Sequence, residues 1–428
     1  MAERTTPSTL PPRATPTTTP TTTPSAEPAP TAASGRRPRR LARGPAFVTA
    51  VGALAALMVG ASAPSPFYPV LQAQIGFSAG TMTTIFGVYA MTLLVTLLVT
   101  GSLSDHIGRR PVLATGFVVL AASTLGFWHA DDVTTLMVSR AVQGIAAGLL
   151  MSTVSAAAVD LEPSTRPGLA ATVNGVTPMA GLAVGALVAG AAIDWSPDAL
   201  PLVFGTLTAA YLLLALVTLA LPETSPRHGG WVRSLRPQVG IPVTARKAFN
   251  LSAPALVAGW ATGGLYLSLG APLVASLGGR DHVAQGAAVA LLTGAGGLSS
   301  YLARRRSART VTLYGTTMLA LGTALTLVAL NLESLVGFLL AVVVAGSGFG
   351  TSFLGIMRSV TPTVGPDQRG ELFSSVFVVS YLAFGLPAVA AGFVVPHLGL
   401  EATATGYGVA VAVLSAAAAL LRRFTTRD

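Results

Sequence analysis

The chain has 428 residues, 52% of them apolar and only 10% charged, with a net charge of +10 and no cysteine. A soluble domain carries about 25% charged residues to coat its surface, so this composition excludes an ordinary water-soluble protein and fits a surface facing lipid. Without cysteine there are no disulfides or thiolate metal sites, and the five histidines do not cluster, so no cofactor or metal is indicated.

Residues 1–44 form the first segment. Thr5 to Thr31 is almost entirely Thr, Pro, Ala and Ser, too poor in apolar surface to build a core, and predicts disorder. Arg36, Arg37, Arg39, Arg40 and Arg43 then lead into the first apolar run. A signal peptide has a shorter apolar region and a cleavage site. A basic cluster before a long run instead anchors a first membrane helix with its N-terminus in the cytoplasm.

A membrane-spanning helix needs about 20 apolar residues, at about 1.5 Å of rise each, to cross about 30 Å of hydrocarbon. Runs that meet this lie near 46–67, 79–100, 111–129, 134–157, 169–192 and 199–221, then near 251–275, 283–302, 310–330, 334–357, 371–394 and 402–421. A polar central loop, 222–250, separates the two sets, and a short tail follows from 422 to 428. The expected fold is an all-α membrane protein of twelve transmembrane helices in two pseudo-symmetric six-helix halves, 45–221 and 251–421. The sets are offset by about 205 residues, and their loop signals repeat: Arg166-Pro167-Gly168 precedes the fifth run and Gln368-Arg369-Gly370 the eleventh.

With both termini inside and the helices alternating, all but two of the 26 lysines and arginines fall on the inner side; Arg280 lies outside and Arg140 within a helix. Asp131, Asp132, Asp194, Asp198, Asp281, Glu333 and Glu401 all fall outside. A miscounted helix would scramble this separation. It explains the basic balance through membrane topology and anionic lipid headgroups, with no nucleic acid. A monomer in the cell membrane, with both ends cytoplasmic, is the expectation.

The second inter-helix loop reads Gly101-Ser102-Leu103-Ser104-Asp105-His106-Ile107-Gly108-Arg109-Arg110-Pro111. Gly101 allows close helix approach, Asp105 is an interfacial anion suited to a helix N-terminus or an arginine, and Gly108 permits a tight turn. Arg109 and Arg110 can anchor to headgroups or pair with Asp105 or Asp160. The loop resembles the G-x-L-x-D-x-x-G-R-R signature of the major facilitator superfamily, with every fixed position met. The resemblance implies a cytoplasmic gate that packs the second helix against the eleventh when the carrier faces outward. Arg140, Gln143, Gly144 and Gly148 are similar to that family's fourth-helix pattern, and Pro222-Glu223-Thr224 to its sixth-helix ending. Gly175, Pro178 and Gly181, a fifth-helix hinge, match the family's antiporter pattern only in part. Thr177 replaces one of its glycines and Leu182 another. The second half has Arg304-Arg305-Arg306 with no acid in the place of Asp105.

Arg140 lies one or two turns below the outer surface. It reads either as a cavity-facing cation that binds an anionic group or assists proton movement, or as a snorkelling side chain tied to a carbonyl. Gln143 reads as a substrate contact or a cross-helix hydrogen bond. The family's cavity is lined by the first, fourth, seventh and tenth helices. That implies Met58 and Ser62, Trp260 and Tyr266, and Ser347 and Thr351 as cavity candidates, with Asn174 and Tyr381 from helices five and eleven. Apart from Glu371, the first residue of the eleventh run, no Asp or Glu falls inside any run, although proton-coupled carriers use a buried titratable group.

The resemblance thus implies a secondary transporter working by alternating access that exports small organic molecules, drugs or metabolites, with a proton gradient as the energy source. The absent carboxylate and Arg140 favour the alternative, an uptake or uniport carrier for a sugar-like or anionic solute. A non-transporting sensor or scaffold would not need the gate signature. There is no P-loop, and no enzyme activity is expected.

Overall fold

The computed structural model describes residues 40–227, 229–365 and 368–425. The Thr/Pro-rich head through residue 39 and the last three residues lie outside them. Among the described residues are twelve helices long and apolar enough to cross a membrane. In chain order these are α1 (Arg43–Ser62), α2 (Ala79–Thr100), α3 (Arg109–Trp128), α4 (Val133–Asp160), α5 (Leu169–Trp195) and α6 (Pro201–Leu219), then α7 (Arg246–Ser276), α8 (His282–Leu302), α9 (Ala308–Asn331), α10 (Leu335–Val360), α11 (Arg369–Leu398) and α12 (Leu400–Thr425). In hydrocarbon every backbone N–H and C=O must bond within the segment, which leaves the helix as the solution for such runs. Helix starts are capped: Ser78 accepts from the Thr81 amide, Asp132 from Thr135, Ser307 from Thr310 and Ser334 from Gly337. Leu213, Leu216, Val336, Leu340 and Val413 stay exposed on outward faces. In water such residues would be a liability; against lipid they cost nothing.

Three boundaries depart from the sequence expectation. The first run stops at Ser62, because Pro64 and Pro66 interrupt the chain, and a separate short helix, Phe67–Ile75, follows. The central polar segment is shorter than 222–250. A single 3₁₀ turn at Val243–Ala245 leads into α7 at Arg246, so the polar residues Arg246, Lys247 and Asn250 are helical. The helix at the C-terminus continues past 422 to Thr425, so Arg422 and Arg423 belong to α12 rather than to a tail.

The two halves repeat their packing. Within the first, α1 packs on α4, α5 and α6, α2 on α4, and α3 on α4 and α6; the second shows the same pairs six helices later, α7 with α10, α11 and α12, α8 with α10, and α9 with α10 and α12. Between the halves two long seams run, α2 against α11 and α5 against α8, which also exchange under the repeat. The junctions α2–α3, α4–α5, α8–α9 and α10–α11 lie at the arginine-rich end of the bundle, called here the basic end. The junctions holding Asp194, Asp198 and Asp281 lie at the opposite, acidic end.

The seams are tight at the acidic end. A Cβ on Gly286 of α8 would come within 2.5 Å of the Ala186 carbonyl of α5, and one on Gly392 of α11 would strike the Thr83 side chain of α2. Only glycine allows the backbones this close. Asp194, at the end of α5, reaches across and accepts from the His282 amide (2.9 Å), the Val283 amide (2.8 Å) and the His282 ring Nδ1 (2.8 Å) at the start of α8. Towards the basic end the seams part. A cavity of about 870 Å³ lies between the end of α2 (Leu97, Gly101, Asp105) and the start of α11 (Gly370, Phe373, Phe377). A second of about 420 Å³ separates the start of α5 from the ends of α8 and α10. The bundle is open at its basic end and shut at its acidic end.

Candidate functional site

Between the halves, near mid-depth, lie two adjoining lobes of about 250 and 130 Å³, whose walls share Met151, Pro178, Met179, Trp260, Phe349 and Tyr381. The Trp260 ring sits among aromatics, 5.2 Å from Tyr381, 5.8 Å from Phe353 and Phe384, and 6.5 Å from Phe349, mostly edge-on. This is the edge-to-face geometry that aromatic quadrupoles favour. Phe384 also meets Phe86 of α2 at 4.9 Å across the seam, near where that seam begins to open. In the walls, the Trp260 Nε1–H and the Asn174 Oδ1 have no hydrogen-bond partner. Among the described residues no Asp or Glu lines either lobe.

Of the cavity candidates, the structure brings Met58, Asn174, Trp260 and Tyr381 to these walls, with Arg140 at the edge of the smaller lobe. Four others are corrections. Tyr266 is fully buried inside the second half, its hydroxyl sharing a 2.6 Å hydrogen bond with Thr326 and its ring edge-on to Phe338. Ser347 accepts from the Tyr314 hydroxyl and donates to the Val344 carbonyl, while Thr351 donates to the carbonyl of Ser347. Ser62 donates back to the Met58 and Val59 carbonyls and lies against Gly185. For the three Ser and Thr residues the reason is local: a hydroxyl in a helix finds a carbonyl one turn back, and Ser347 of α10 also faces Tyr314 of α9. Sequence reading missed Met151, Met179, Phe349 and Phe384. Apolar side chains on apolar helices carry no signal that separates cavity from core.

The fourth-helix residues act on their own half. Arg140 is 1% exposed. Its Nε donates to the Tyr68 hydroxyl (2.5 Å), and its Nη1 to the Gln143 amide oxygen and to the Ala61 carbonyl (3.4 Å). Its guanidinium lies 4.8 Å from the Tyr89 ring centroid, 5.5 Å from Tyr68 and 5.7 Å from Phe127. No described carboxylate neutralises it; hydrogen-bond acceptors and three ring faces hold the charge. Gln143 donates to the Gly60 carbonyl of α1, so it serves the cross-helix reading. Gly144 lets α4 close on Tyr89 and Thr92 of α2. In α5, Gly181 lies against Met58 and the Ala55 carbonyl, Gly175 faces open space, and the helix runs on through Pro178.

The loop after α2 is a charge cluster within the first half. Arg109 pairs with Asp105 at 2.6 Å and with Asp160 at 3.3 Å, and donates to the Ser104 hydroxyl at 2.5 Å. Leu103 starts a five-residue helix that carries Asp105. Gly108, at φ +114°, turns the chain so that the Arg109 amide (2.8 Å) and the Arg110 amide (3.3 Å) both donate to the Glu223 carboxylate. Arg110 donates to the Leu219 carbonyl. The Thr224 hydroxyl donates to Asp160 at 2.7 Å. Burial alone would raise the Glu223 pKa, but the amides of Arg109, Ser225 and Arg110 and the Arg227 guanidinium outweigh it and hold this carboxyl below its usual range. Glu223 had entered only as part of a resemblance; its place between two loops becomes visible in three dimensions. The loop stands apart from the start of α11, across the 870 Å³ cavity, while α2 and α11 pack together towards the acidic end.

The family model described as Major Facilitator Superfamily matches residues 50–388. The chain belongs to that superfamily of membrane transporters. It is 32% identical over 155 residues to an uncharacterised MFS-type transporter of Mycobacterium tuberculosis, covering 35% of this chain and 27% of the relative. It is 31% identical over 161 residues to the multidrug resistance protein MdtL of Shewanella oneidensis, covering 36% and 39%. A third match, 24% over 99 residues, is to the quinolone resistance protein NorA of Staphylococcus aureus, covering 23% and 26%. The matched stretch spans well under half the length of each of these relatives.

Proposed function

We propose that the chain is a secondary transporter that works by alternating access and exports small organic molecules, with the basic end in the cytoplasm of the cell that bears it. The observation that carries this reading is the central cavity between two repeated halves, parted at one end and sealed at the other. Arginine enrichment at the open end supports the cytoplasmic assignment and, with it, both termini inside the cell membrane. The names of MdtL and NorA support export of drug-like molecules. So does a cavity walled by Trp260, Tyr381, Phe349, Phe384 and three methionines, which suits aromatic and apolar cargo. The cavity lies within one chain, so a monomer in the bilayer suffices.

The charge of the cavity favours neutral or anionic cargo over cations, because Arg140 borders it and no described carboxylate does. The same observation favours a second reading, uniport or uptake of an anionic or sugar-like solute. Under the export reading, proton coupling runs through groups at the ends of the bundle, the Asp105–Asp160–Glu223 cluster or Asp194 with His282. Flux of a panel of neutral, anionic and cationic solutes into proteoliposomes, with and without an imposed pH gradient, tests this. Gradient-driven movement of neutral aromatic solutes is expected. Movement of sugars or anions alone, indifferent to the gradient, would establish the second reading, and no flux of any solute would refute transport.

A further inference from the structure

We propose that the second half binds the phosphate of an acidic phospholipid between α5 and the basic ends of α8 and α10. The two halves carry opposite solutions at repeat-equivalent places. In the first half, Arg109 is met by Asp105 and Asp160, and Glu223 takes the amides beside it. In the second half the corresponding junction, α8 to α9, holds Arg304, Arg305, Arg306 and Arg309, with Arg358 from α10 beside it. None of these five pairs with a described carboxylate. Arg358 donates to the carbonyls of Arg304 (2.6 Å) and Arg306 (3.1 Å), and Arg304 donates to the Tyr301 carbonyl with its guanidinium 3.8 Å from the Tyr301 ring centroid. Carbonyls and a ring face orient Arg304 and Arg358, and no described carboxylate compensates their charge.

Arg304, Arg305 and Arg358 line one cavity of about 420 Å³. Its rim adds the polar side chains of Thr172, Ser300 and Tyr301, and its α5 wall is open at Gly168 and Gly175, where a Cβ would meet nothing. Ala171, Val176 and Leu354 make the remaining wall apolar. Three arginines beside an apolar wall at the edge of the hydrocarbon fit a phosphodiester with an acyl chain attached. Guanidinium forks match phosphate oxygens, and the chain needs a greasy surface. A free phosphate would use the arginines and leave that wall bare. The cavity exists because α5 stands away from α8 and α10 at this end, so an occupant acts as an anionic wedge that favours the basic-end-open state. This goes beyond the export reading and does not depend on what is carried.

Mass spectrometry of the intact, delipidated full-length protein, offered phosphatidylglycerol, phosphatidylcholine or inorganic phosphate, tests the site. The wild-type protein is expected to retain phosphatidylglycerol in preference to phosphatidylcholine. The triple variant R304Q/R305Q/R358Q is expected to lose that retention on the order of tenfold or more. Equal retention by the variant, or capture of phosphate without the lipid, overturns the proposal. A second measurement keeps the three arginines in place. The chain lacks cysteine, so Thr172→Cys puts a single thiol on the cavity rim. Phosphatidylglycerol is expected to slow its labelling by a soluble maleimide while phosphatidylcholine and phosphate leave it unchanged. A labelling rate indifferent to phosphatidylglycerol overturns the proposal as well.

Discussion

Asp194→Ala tests the closure of the acidic end most directly. The carboxylate accepts three hydrogen bonds from the first two residues of α8, all between 2.8 and 2.9 Å, and its side chain is 19% exposed. Hydrogen bonds to a charged group are worth about 1.5–3 kcal/mol each when buried. A carboxylate at a helix N-terminus adds up to about 2 kcal/mol. Water reaches this partly exposed site and restores much of what the substitution removes, so a net effect of about 1–3 kcal/mol is the reasonable scale. The bonds join the two halves only while the acidic end is shut. Their loss therefore falls on the balance between states rather than on the folding of either half. At about 1.4 kcal/mol per factor of ten, the ratio of basic-end-open to basic-end-closed protein should fall roughly 5- to 150-fold. Spin-label distances between single cysteines placed at Thr172 on α5 and Ser300 on α8 would read it, with a shorter-distance population expected to grow. The conservative Asp194→Asn, which retains one acceptor oxygen, should give a smaller shift. An unchanged distance distribution in folded Asp194→Ala protein would refute the assignment of this contact as a latch.

Other perturbations separate the remaining roles. Asp105→Asn should leave membrane insertion intact and cost under about 1 kcal/mol in the open state, because Asp105 is 41% exposed and Asp160 still holds Arg109; transport in proteoliposomes should nevertheless slow sharply, and wild-type flux would remove this loop from gating. Glu223 has a depressed pKa in the folded protein, so it contributes stability above its ordinary value of 4.5 that is lost as pH falls below it through the folded value; Glu223→Gln should flatten that acid loss in a thermal-shift series, and an unaltered profile would show that the loop does not depend on this carboxylate. Arg140→Lys keeps the charge but not the fork that reaches Tyr68, Ala61 and Gln143, and should cut flux about tenfold or more; unchanged flux would make Arg140 a packing residue. Tyr266→Phe should leave flux untouched while lowering stability by about 1 kcal/mol through the lost bond to Thr326, a combination that transport and melting measurements can check together.

Much of the bundle was legible in the chain because hydrocarbon enforces a single rule on every span. The twelve runs, the polar separator and the sorting of arginines from acids follow from length and charge alone. Boundaries failed where a competing local rule acted. Pro64 and Pro66 ended α1 early, and the first turns of α7 accepted Arg246, Lys247 and Asn250 because a helix end at the interface tolerates polar residues. The site was less legible. The resemblance offered Trp260 and Tyr266 together from the seventh helix, yet Tyr266, six residues further on, points into the second half. Which face of a nearly uniform helix meets a cavity is decided by the neighbouring helices, and a single span does not encode it. The partners of Arg140 were hidden for a related reason. Apart from Gln143, one turn on in α4, they come from the Phe67–Ile75 helix, from α1 and α2 and from α3.

The two seams have a kinematic meaning. Because α2–α11 and α5–α8 exchange under the repeat, they flank the cavity like a pair of parallel hinge lines, and a rocking of one half that unzips one must unzip the other. Under the proposed alternating access, the molecule would have a single coordinate of motion rather than two independent doors. A half-open form, with one seam parted at the acidic end while the other remains parted at the basic end, would require the halves to shear past each other where Gly286 lies against the Ala186 backbone and Gly392 against the Thr83 side chain. Under that reading, the glycines that bring the seams together would also guard the membrane against a continuous leak.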